Sequence, residues 1–469
     1  MKLWIKTLLM MAGIILLTVG AAATYLFTVS SSTVKTLKTT YTDVGKGNTA
    51  KTIKATKPLT ILLMGVDTGG EGRGTATSWN GNSDSQIVMT LNPETDTTTM
   101  VSMERDTMTN ILNADGNVAY PGEPQKMNAA YPMGYNAGGK SKGLETAVAY
   151  SMKTISEQSG INIDNFVTMN FDGLINLVDA VGGIDVNNDS GKTLYIYNTE
   201  PEYTATVPPG EQHINGEQAL VFARDRDHLP NGDYGRAAHQ REVLSALMKK
   251  ILALDNITQY QKFLNEASKD FRTNIPITTS TLTSLLGYKD CFKKVVSVQY
   301  QGIGSMVNGV SYQFMPTNIY LAVQNAMLKS LGQPTITSIN NNIITYESYF
   351  GADTTSTYYL PSATVTANGK VITYGIDTSG NFVKVNSANS GTYVSANGGS
   401  VGASDADTNS STSASSTQTT TDTGTGDGTS SDYGSSSTYD NSNSTDTNSY
   451  SSYGTGTDTT TQDGTYTGQ

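Results

Sequence analysis

The sequence predicts an α/β domain built around a central sheet, with one N-terminal transmembrane helix before it and a disordered C-terminal tail after it. Predicted strands and helices alternate between residues 58 and 253, and this alternation is typical of a sheet covered by helices. An uncharged apolar run, Leu8–Val29, predicts the membrane helix. Residues 386–469 consist mainly of Ser, Thr, Gly, Asn and Asp, a composition that buries too little apolar surface to fold.

The N-terminal apolar run is long enough to cross a membrane. Leu8–Val29 has 22 residues, and a helix of that length measures about 33 Å. Lys2 and Lys6 precede it, so the positive-inside rule puts the N-terminus in the cytoplasm and the rest of the chain outside the cell. The alternative is a cleaved signal peptide, for which Ala21–Ala23 offers small residues. Because the run exceeds the usual signal-peptide core of about 7–15 residues, we expect residues 1–30 to be an uncleaved signal-anchor.

The next segments predict a stalk and then the strands and helices of the domain. Residues 31–57 are polar and rich in Thr and Lys, as in a short extracellular stalk. Apolar and β-branched segments predict strands at 58–67, 85–92, 97–104 and 166–171. Helices are predicted at 143–158, at 174–181, in the stretch GEQALVFARDR and at 236–253. In the last of these, apolar residues recur at a spacing of three to four: Val243, Leu244, Leu247, Met248 and Ile251.

The predicted folded domain covers residues 58–335. Residues 336–385 become β-like and predict a small appended β element, and residues 386–469 form the tail. The chain has one cysteine, Cys291, so it forms no internal disulfide and its stability must come from a core.

The net charge of −11 is carried mainly by the tail. From Gly391 onward there are nine Asp and no Lys, Arg or Glu, which leaves −11 − (−9) = −2 for the rest. This nearly neutral balance does not favour nucleic acid as a partner. The arginines of VFARDRDHLPNGDYGRAAHQREVL, residues 221–244, are therefore a local concentration of positive charge.

Those arginines predict an anion site. If a helix begins near Arg236, then Arg236 and Gln240 lie one turn apart on one face, and Arg224 and Arg226 precede them across a turn. Guanidinium groups match phosphate oxygens in pairs, and a helix N-terminus also favours an anion. The alternative is a solvated face on which the arginines pair with the acidic residues of the same stretch. Those acidic residues are Asp225, Asp227 and Asp233.

A second set of residues lies where predicted strands begin and end. Asp67 follows the first strand, Asp84 begins the next, and Arg105 and Asp106 end the third. In α/β proteins, sites gather at strand ends, and two carboxylates can hold a hard cation that also binds phosphate oxygens. The alternative is that both aspartates cap loops. Arginines, aspartates and Mg²⁺ (or Mn²⁺) around a diphosphate are the components of a phosphoryl-transfer site.

The order of these motifs resembles that of the LytR–CpsA–Psr family. The chain has GVD, then SD, SMERDT, KMNAAY, LVDAVGGIDV, GEQALVFARDR and DYGRAAHQR, in order, between residues 58 and 252. The resemblance implies an α/β/α sandwich on a signal-anchor helix. It also implies transfer of a glycopolymer (teichoic acid, capsular or rhamnose-type polysaccharide) from a polyprenyl diphosphate carrier to peptidoglycan, outside a Gram-positive-type cell.

The resemblance also implies roles for individual residues. Asp67 and Asp84 resemble the metal-associated carboxylates. The residues that resemble the diphosphate-binding set are Arg105, Arg224, Arg226, Arg236 and Gln240. The chain departs from the family at Asn82, where an arginine is usual, and at Glu104, where a proline is usual.

The implied reaction is attack by a wall-glycan hydroxyl on the phosphorus nearer the polymer. Arg105 would stabilise the phosphate charge, and Asp106 or Asp233 would act as base. Two alternatives remain at this point: a hydrolase that releases polyprenyl phosphate, and a non-catalytic wall-binding protein whose tail is the working part. The sequence does not indicate an oligomeric state.

One further pattern is misleading. GYNAGGKS, residues 134–141, satisfies the P-loop pattern, but the strand that must precede a P-loop is not predicted there. We therefore do not expect a nucleotide site.

Overall fold

The structure, a computed structural model, describes residues 41–42, 53–67, 79–197, 203–253, 263, 270–276, 279–351, 361–384, 393–394 and 400–401. The predicted signal-anchor, most of the predicted stalk and almost all of the predicted tail lie outside these residues. Among the helices of the described residues, none is long and apolar enough to cross a membrane.

The described strands follow one another along the chain and are numbered in that order. They are β1 (Leu59–Val66), β2 (Ser83–Asn92), β3 (Thr97–Ser102), β4 (Met108–Thr109), β5 (Gln125–Lys126), β6 (Asn165–Met169), β7 (Ile184–Asn188), β8 (Gly210–Ile214), β9 (Phe271–Thr273), β10 (Lys294–Gln299), β11 (Ile303–Val307), β12 (Val310–Phe314), β13 (Ser362–Ala367), β14 (Lys370–Ile376), β15 (Phe382–Val383), β16 (Tyr393–Val394) and β17 (Ser400–Val401).

The described α-helices are likewise numbered along the chain. They are α1 (Ala130–Ser159), α2 (Phe171–Ala180), α3 (Gly216–Arg224), α4 (Gly232–Leu252), α5 (Thr279–Leu286), α6 (Thr317–Ser330) and α7 (Tyr346–Phe350). Short 3₁₀ segments precede α1 and β10, at Met127–Ala129 and Lys289–Lys293.

The main sheet has nine strands in the order β15-β14-β13-β10-β3-β2-β1-β6-β9. The pairs β1–β6 and β10–β3 are parallel, and the neighbouring pairs β1–β2, β2–β3 and β10–β13 are antiparallel. The α/β prediction with a central mixed sheet is therefore confirmed.

The central strands are buried on both faces, which is why they read as nearly continuous apolar runs. Along β2, Val88 packs into a core that contains Ile155 of α1 and Val323 of α6. Its neighbours Ile87 and Met89 point the other way, into a core on the side of α4 and α5. Helices thus cover the sheet on both sides.

The predicted helix near residues 143–158 is confirmed, and a further helical segment that was not predicted precedes it across a kink. Helix α1 starts at Ala130, has non-helical backbone at Gly139 and Lys142, and ends at Gly160 in the left-handed conformation with φ 69°. A Cβ on Gly134 would lie 2.6 Å from the carbonyl oxygen of Thr146, so the first segment folds back tightly on the second. The GYNAGGKS segment spans the end of the first helical segment and the kink after it. The described residues directly before it are helical, and no strand leads into it there as a P-loop requires.

The region expected as an appended β element continues the main sheet instead. β13 pairs with β10 along its whole length, and β14 and β15 extend the edge. Residues 336–361 contribute a five-residue helix, α7, and no strand in their described part. The prediction of strands is therefore right for residues 362–383 and wrong for the described residues of 336–361. The pairing of β13 with β10 joins residues 63 to 73 positions apart, which local alternation does not indicate.

Candidate active site

The ends of β1 and β2 bring the two predicted metal-associated carboxylates to one edge of the sheet. Gly65 pairs with Ser85 and Val66 pairs with Ser83, so Asp84 is the extra residue of a β-bulge. The amide of Asp67 donates to the carbonyl oxygen of Asn82 at 2.9 Å, which continues the pairing past the strand. Bulges redirect a side chain and occur frequently beside active sites.

Arg105 follows β3 and connects this edge to the rest of the site. Its guanidinium lies 3.3 Å from Asp84, 3.4 Å from Asp106 and 4.0 Å from Asp233. The side chain is 21% exposed, so these contacts are only partly screened by water. The structure thus brings Arg105 together with residues from two other parts of the chain.

Asp233, in the first turn of α4, joins the arginines that the sequence analysis expected to converge. Its carboxylate lies 3.0 Å from Arg236 and 3.7 Å from Arg226. We call the connected set the charged network: Asp84, Arg105, Asp106, Lys126, Arg226, Asp233 and Arg236. The expected alternative of local salt bridges is also present, because Asp233 pairs with arginines on both sides of it.

Two members of the KMNAAY stretch support this network, although the sequence analysis gave them no role. The side-chain nitrogen of Lys126 lies 2.9 Å from the Asp106 carboxylate. The side-chain amide of Asn128 donates a hydrogen bond to the Asp84 carboxylate at 2.9 Å. The stretch itself was singled out as part of the resemblance. Its partners follow from tertiary packing, which sequence spacing does not indicate.

Arg224 and Gln240 occupy a second part of the site. The guanidinium of Arg224 lies over the Phe171 ring, 4.2 Å from its centroid. Gln240 accepts a hydrogen bond from the Ser85 hydroxyl at 2.9 Å and donates to the carbonyl oxygen of Ala223 at 3.2 Å. Ser85 and Phe171 are the contacts here that the sequence analysis did not identify.

Arg224 and Gln240 line one end of an apolar space beneath α4. They belong to a cavity of about 110 Å³, and a neighbouring cavity of about 240 Å³ extends along the C-terminal half of α4. We call the two together the apolar cavity, since both are lined by Leu63, Met169, Leu244 and Leu247. A polar head at the arginines would thus be continuous with space for an apolar chain.

The fourth arginine of residues 221–244, Arg241, lies outside the site. Arg241 is buried against the sheet and donates to the Ser102 hydroxyl at 2.5 Å and to the side-chain oxygen of Gln299 at 2.6 Å. Burial lowers the pKa of its guanidinium to about 9. Arg241 thus fixes α4 on the sheet.

The electrostatics of the site reflect dense packing of opposite charges. Burial, with a further contribution from Asp106, raises the pKa of Glu104 to about 7. Burial acts to lower the pKa of Arg105, but the carboxylates of Asp84, Asp106 and Asp233 outweigh it and raise that pKa. Burial lowers the pKa of Arg236 despite the neighbouring Asp233. The pKa of Glu104 thus lies near neutral pH, well above the usual range of a glutamate.

The donor set is compatible with a divalent cation that shares its ligands with a diphosphate. Within the described residues, no group of three or more His, Cys, Asp or Glu side chains is placed to hold a metal ion. Mg²⁺, however, is commonly held by only one or two carboxylates together with substrate phosphates. Asp67 directly follows β1 and Asp84 lies in the paired end of β2, where it contacts Arg105, so these two are candidates for such carboxylates.

Comparison with known proteins gives consistent matches. A model of the LytR_cpsA_psr family matches residues 24–329. Biofilm regulatory protein A of Streptococcus mutans is 40% identical over 356 residues, which cover 76% of this chain and 84% of that protein. The polyisoprenyl-teichoic acid–peptidoglycan teichoic acid transferase TagU of Enterococcus faecalis is 33% identical over 298 residues, 63% of this chain and 88% of that protein. A crystal structure of a Streptococcus agalactiae protein matches with a TM-score of 0.56 at 41% identity, covering 64% of this chain and 97% of that one.

Proposed function

The chain belongs to the LytR_cpsA_psr family, and from this premise we propose that it is a transferase that moves a cell-wall glycopolymer from a polyprenyl diphosphate carrier to peptidoglycan. The observation that carries the proposal is that Arg224, Gln240 and Ser85 line the apolar cavity, while Asp84, next to Ser85 in the chain, belongs to the charged network. A lipid diphosphate needs both kinds of surroundings next to each other. The name of the Enterococcus faecalis relative, a polyisoprenyl-linked teichoic acid transferase, supports the same substrate class.

The apolar cavity would take the first part of the prenyl chain. Its larger section is lined by aliphatic, aromatic and methionine side chains from α4, the sheet and α5, such as Leu247, Met248, Phe271 and Leu285. Each buried methylene contributes about 0.8 kcal/mol to binding. A few isoprene units therefore suffice for strong discrimination in favour of lipid-linked donors.

The diphosphate would lie between Arg224 and the charged network. Arg105, Arg226 and Arg236 present guanidinium groups whose carboxylate partners also hold them in place. Gln240, fixed by Ser85 and Ala223, adds an amide beside Arg224. Donors fixed before the substrate arrives need no reorganisation as charge develops, which is the main source of such catalysis.

Asp67 and Asp84 would hold Mg²⁺ or Mn²⁺ at the edge of this site. When bound, such a cation supplies charge neutralisation at the phosphate oxygens. Asn128 and Arg105 fix the Asp84 carboxylate, so the chain orients this ligand before the substrate arrives.

In the proposed reaction, a hydroxyl oxygen of the wall glycan attacks the phosphorus nearer the polymer. A new oxygen–phosphorus bond forms, the bond from that phosphorus to the bridging oxygen breaks, and polyprenyl phosphate leaves with the bonding electron pair. The polymer is then joined to the wall by a phosphodiester. The hydroxyl proton passes to a base or to water.

Asp106 and Asp233, the two candidate bases, are both paired with cations. Lys126 and Arg105 contact Asp106, and three arginines contact Asp233. Both carboxylates are therefore already engaged in ion pairs. Their contribution is then to orient the arginines, and a loose phosphoryl transition state has little need of a strong base.

The proposed location is outside the cell membrane, with residues 1–30 as a single-pass anchor. The lipid donor and the wall acceptor both occur there. The apolar run Leu8–Val29 and the preceding lysines support this orientation.

The test uses the purified full-length chain, because β13–β15 belong to the main sheet and truncation near residue 335 would remove them. The chain is incubated with a prenyl-diphosphate oligosaccharide, peptidoglycan oligomers and Mg²⁺, and products are identified by mass spectrometry. We expect a saccharide–phosphate–glycan adduct that Arg224→Ala and Asp84→Ala abolish. Free saccharide phosphate without adduct would identify a hydrolase, and unchanged activity in both variants would overturn the assigned site.

A further inference from the structure

An exposed tyrosine and a half-buried one, Tyr197 and Tyr195, lie in a segment that otherwise packs into the protein. Leu194 is buried and pairs with Val207 through backbone hydrogen bonds of 2.9 and 3.0 Å, and Ile196 packs against the same core. The alternate residues, Tyr195 and Tyr197, point away from this core. Tyr197 is 56% exposed, although large aromatic side chains are on average well buried.

The tyrosines form a defined aromatic surface together with His228. The rings of Tyr195 and Tyr197 meet edge to face with centroids 4.8 Å apart, and the Tyr197 hydroxyl donates to that of Tyr195 at 3.2 Å. The Tyr195 ring lies 4.2 Å from the His228 ring, at 38° to it. We call Tyr195, Tyr197 and His228 the aromatic shelf.

A buried carboxylate, Asp225, holds Tyr195 and His228 of the shelf in place by hydrogen bonds. Asp225, only 2% exposed, accepts hydrogen bonds from the Tyr195 amide at 2.9 Å and from His228 Nδ1 at 2.8 Å. Its other oxygen accepts from the amides of Asp227 and His228 at 3.0 and 3.1 Å. The shelf is thus preorganised, and side chains held in place in advance lose less entropy on binding.

The residue that fixes the shelf is also a chain neighbour of the anion-site arginines, because Asp225 lies between Arg224 and Arg226 in the sequence. Arg224 borders the apolar cavity, and Arg226 belongs to the charged network. None of the shelf residues lines the apolar cavity. A donor with its lipid in that cavity and its diphosphate at the arginines would therefore present its sugar end, and not its lipid, to the shelf.

We propose that the aromatic shelf binds the pyranose ring joined to the diphosphate of the donor. The C–H face of a pyranose stacks on the apolar face of an aromatic ring. The phenol hydroxyls and the imidazole would form hydrogen bonds with the sugar hydroxyls. This assignment rests on the proposed function, since it names the part of that site which recognises the polymer. The shelf would favour donors that carry a sugar over bare prenyl diphosphates.

The test compares farnesyl diphosphate with farnesyl diphosphate carrying one N-acetylglucosamine, by calorimetric titration of the full-length chain. Tyr197→Ala should weaken binding of the sugar-bearing ligand by about 3- to 10-fold, the loss expected for one stacking contact, and leave farnesyl diphosphate unchanged. Tyr197→Phe should retain most of the difference. Tyr349→Ala, which removes a tyrosine that is 43% exposed elsewhere, is the matched control and should change neither affinity.

The outcomes separate the shelf from the proposed function. Arg224→Ala should weaken both ligands equally. If farnesyl diphosphate does not bind the wild-type chain, the proposed function fails, and the shelf is judged by saturation-transfer NMR with an N-acetylglucosamine tetrasaccharide alone. Dependence of that signal on Tyr197 would support sugar binding, and independence would overturn it. If Tyr197→Ala weakens the binding of both lipid ligands equally, the shelf does not bind the donor sugar. The same conclusion follows if farnesyl diphosphate binds but Tyr197→Ala weakens only the binding of the tetrasaccharide.

Discussion

The two halves of helix α4 meet opposite surroundings. Its N-terminal half carries Asp233, Arg236 and Gln240 into a dense set of ion pairs and hydrogen bonds. Its C-terminal half, from Leu244 to Ile251, borders a cavity of about 240 Å³, although protein interiors are normally close-packed. The difference indicates that one half is organised to hold charge rigidly and the other to admit an apolar chain.

The charged network around the N-terminal half of α4 should destabilise the fold, and the apolar packing of the C-terminal half should offset this. Burying ionisable groups is unfavourable even when they are paired, and burial perturbs the pKa values of both Glu104 and Arg236 here. The core residues Val243 and Leu247 of the other half lie in an extensive apolar cluster. Substitutions in the two halves should therefore affect different properties, such as transfer rate and lipid affinity, and by different amounts.

The largest effect is expected in the charged network around the N-terminal half of α4, to which Arg105 belongs through Asp233. Arg105→Ala removes the residue that contacts three carboxylates and should lower the rate of transfer by about 100- to 1,000-fold, the usual loss when a charge-stabilising donor is deleted. Single-turnover kinetics with a lipid-linked oligosaccharide measure it. Arg105→Lys keeps the charge but not the planar fork and should recover only part of the rate. An exposed control, Lys293→Ala, should leave it unchanged, and an unimpaired Arg105→Ala would remove this residue from the site.

An intermediate effect is expected in the apolar half. Leu244→Trp would fill space shared by both sections of the cavity. We expect the affinity for geranylgeranyl diphosphate to fall about 30-fold, equivalent to the burial of a few methylenes, with inorganic diphosphate bound as before. Met306→Trp, at a side chain that is 66% exposed, is the matched control. Equal loss for both ligands would mean that the cavity does not hold the lipid.

The smallest effect concerns stability and its dependence on pH. The folded-state pKa of Glu104, about 7, lies above the ordinary glutamate value of 4.5, so the folded chain binds more protons than the unfolded chain between these values. Its contribution is therefore most favourable below pH 4.5 and is lost as pH rises toward 7. Glu104→Gln should raise the free energy of unfolding at pH 8 by on the order of 1–2 kcal/mol, with little change at pH 4.

Chemical denaturation across this pH range measures the Glu104 effect. Glu123→Gln, at an exposed carboxyl, provides the control and should show no such dependence. A pH dependence of stability that Glu104→Gln leaves unaltered would contradict the raised pKa of Glu104.

Sequence reasoning predicted both halves of α4 but not their separation. The spacing of Val243, Leu244, Leu247, Met248 and Ile251 indicated one apolar face. It could not indicate that this face, from Val243 to Ile251, lines a cavity instead of packing fully against the sheet, because the distance to the opposing sheet is set by other elements.

The same limit applies to the site residues. The convergence of Arg226 and Arg236 was predictable, since both lie within a few residues of Asp233. The contacts of Lys126 with Asp106 and of Ser85 with Gln240 were not, because they join separate elements. Arg241 has the same residue type as its neighbours in the stretch, and only its helical position turns it into the interior.

The most direct test of the central claim, that α4 holds a lipid diphosphate across its two halves, is a crystal structure of the full-length chain with geranylgeranyl diphosphate. The account predicts phosphate oxygens within hydrogen-bond distance of Arg224 and of at least one arginine of the charged network. It also predicts a prenyl chain that runs past Leu244 toward Ile251. A diphosphate bound at any other surface, or a prenyl chain outside the apolar cavity, would contradict it.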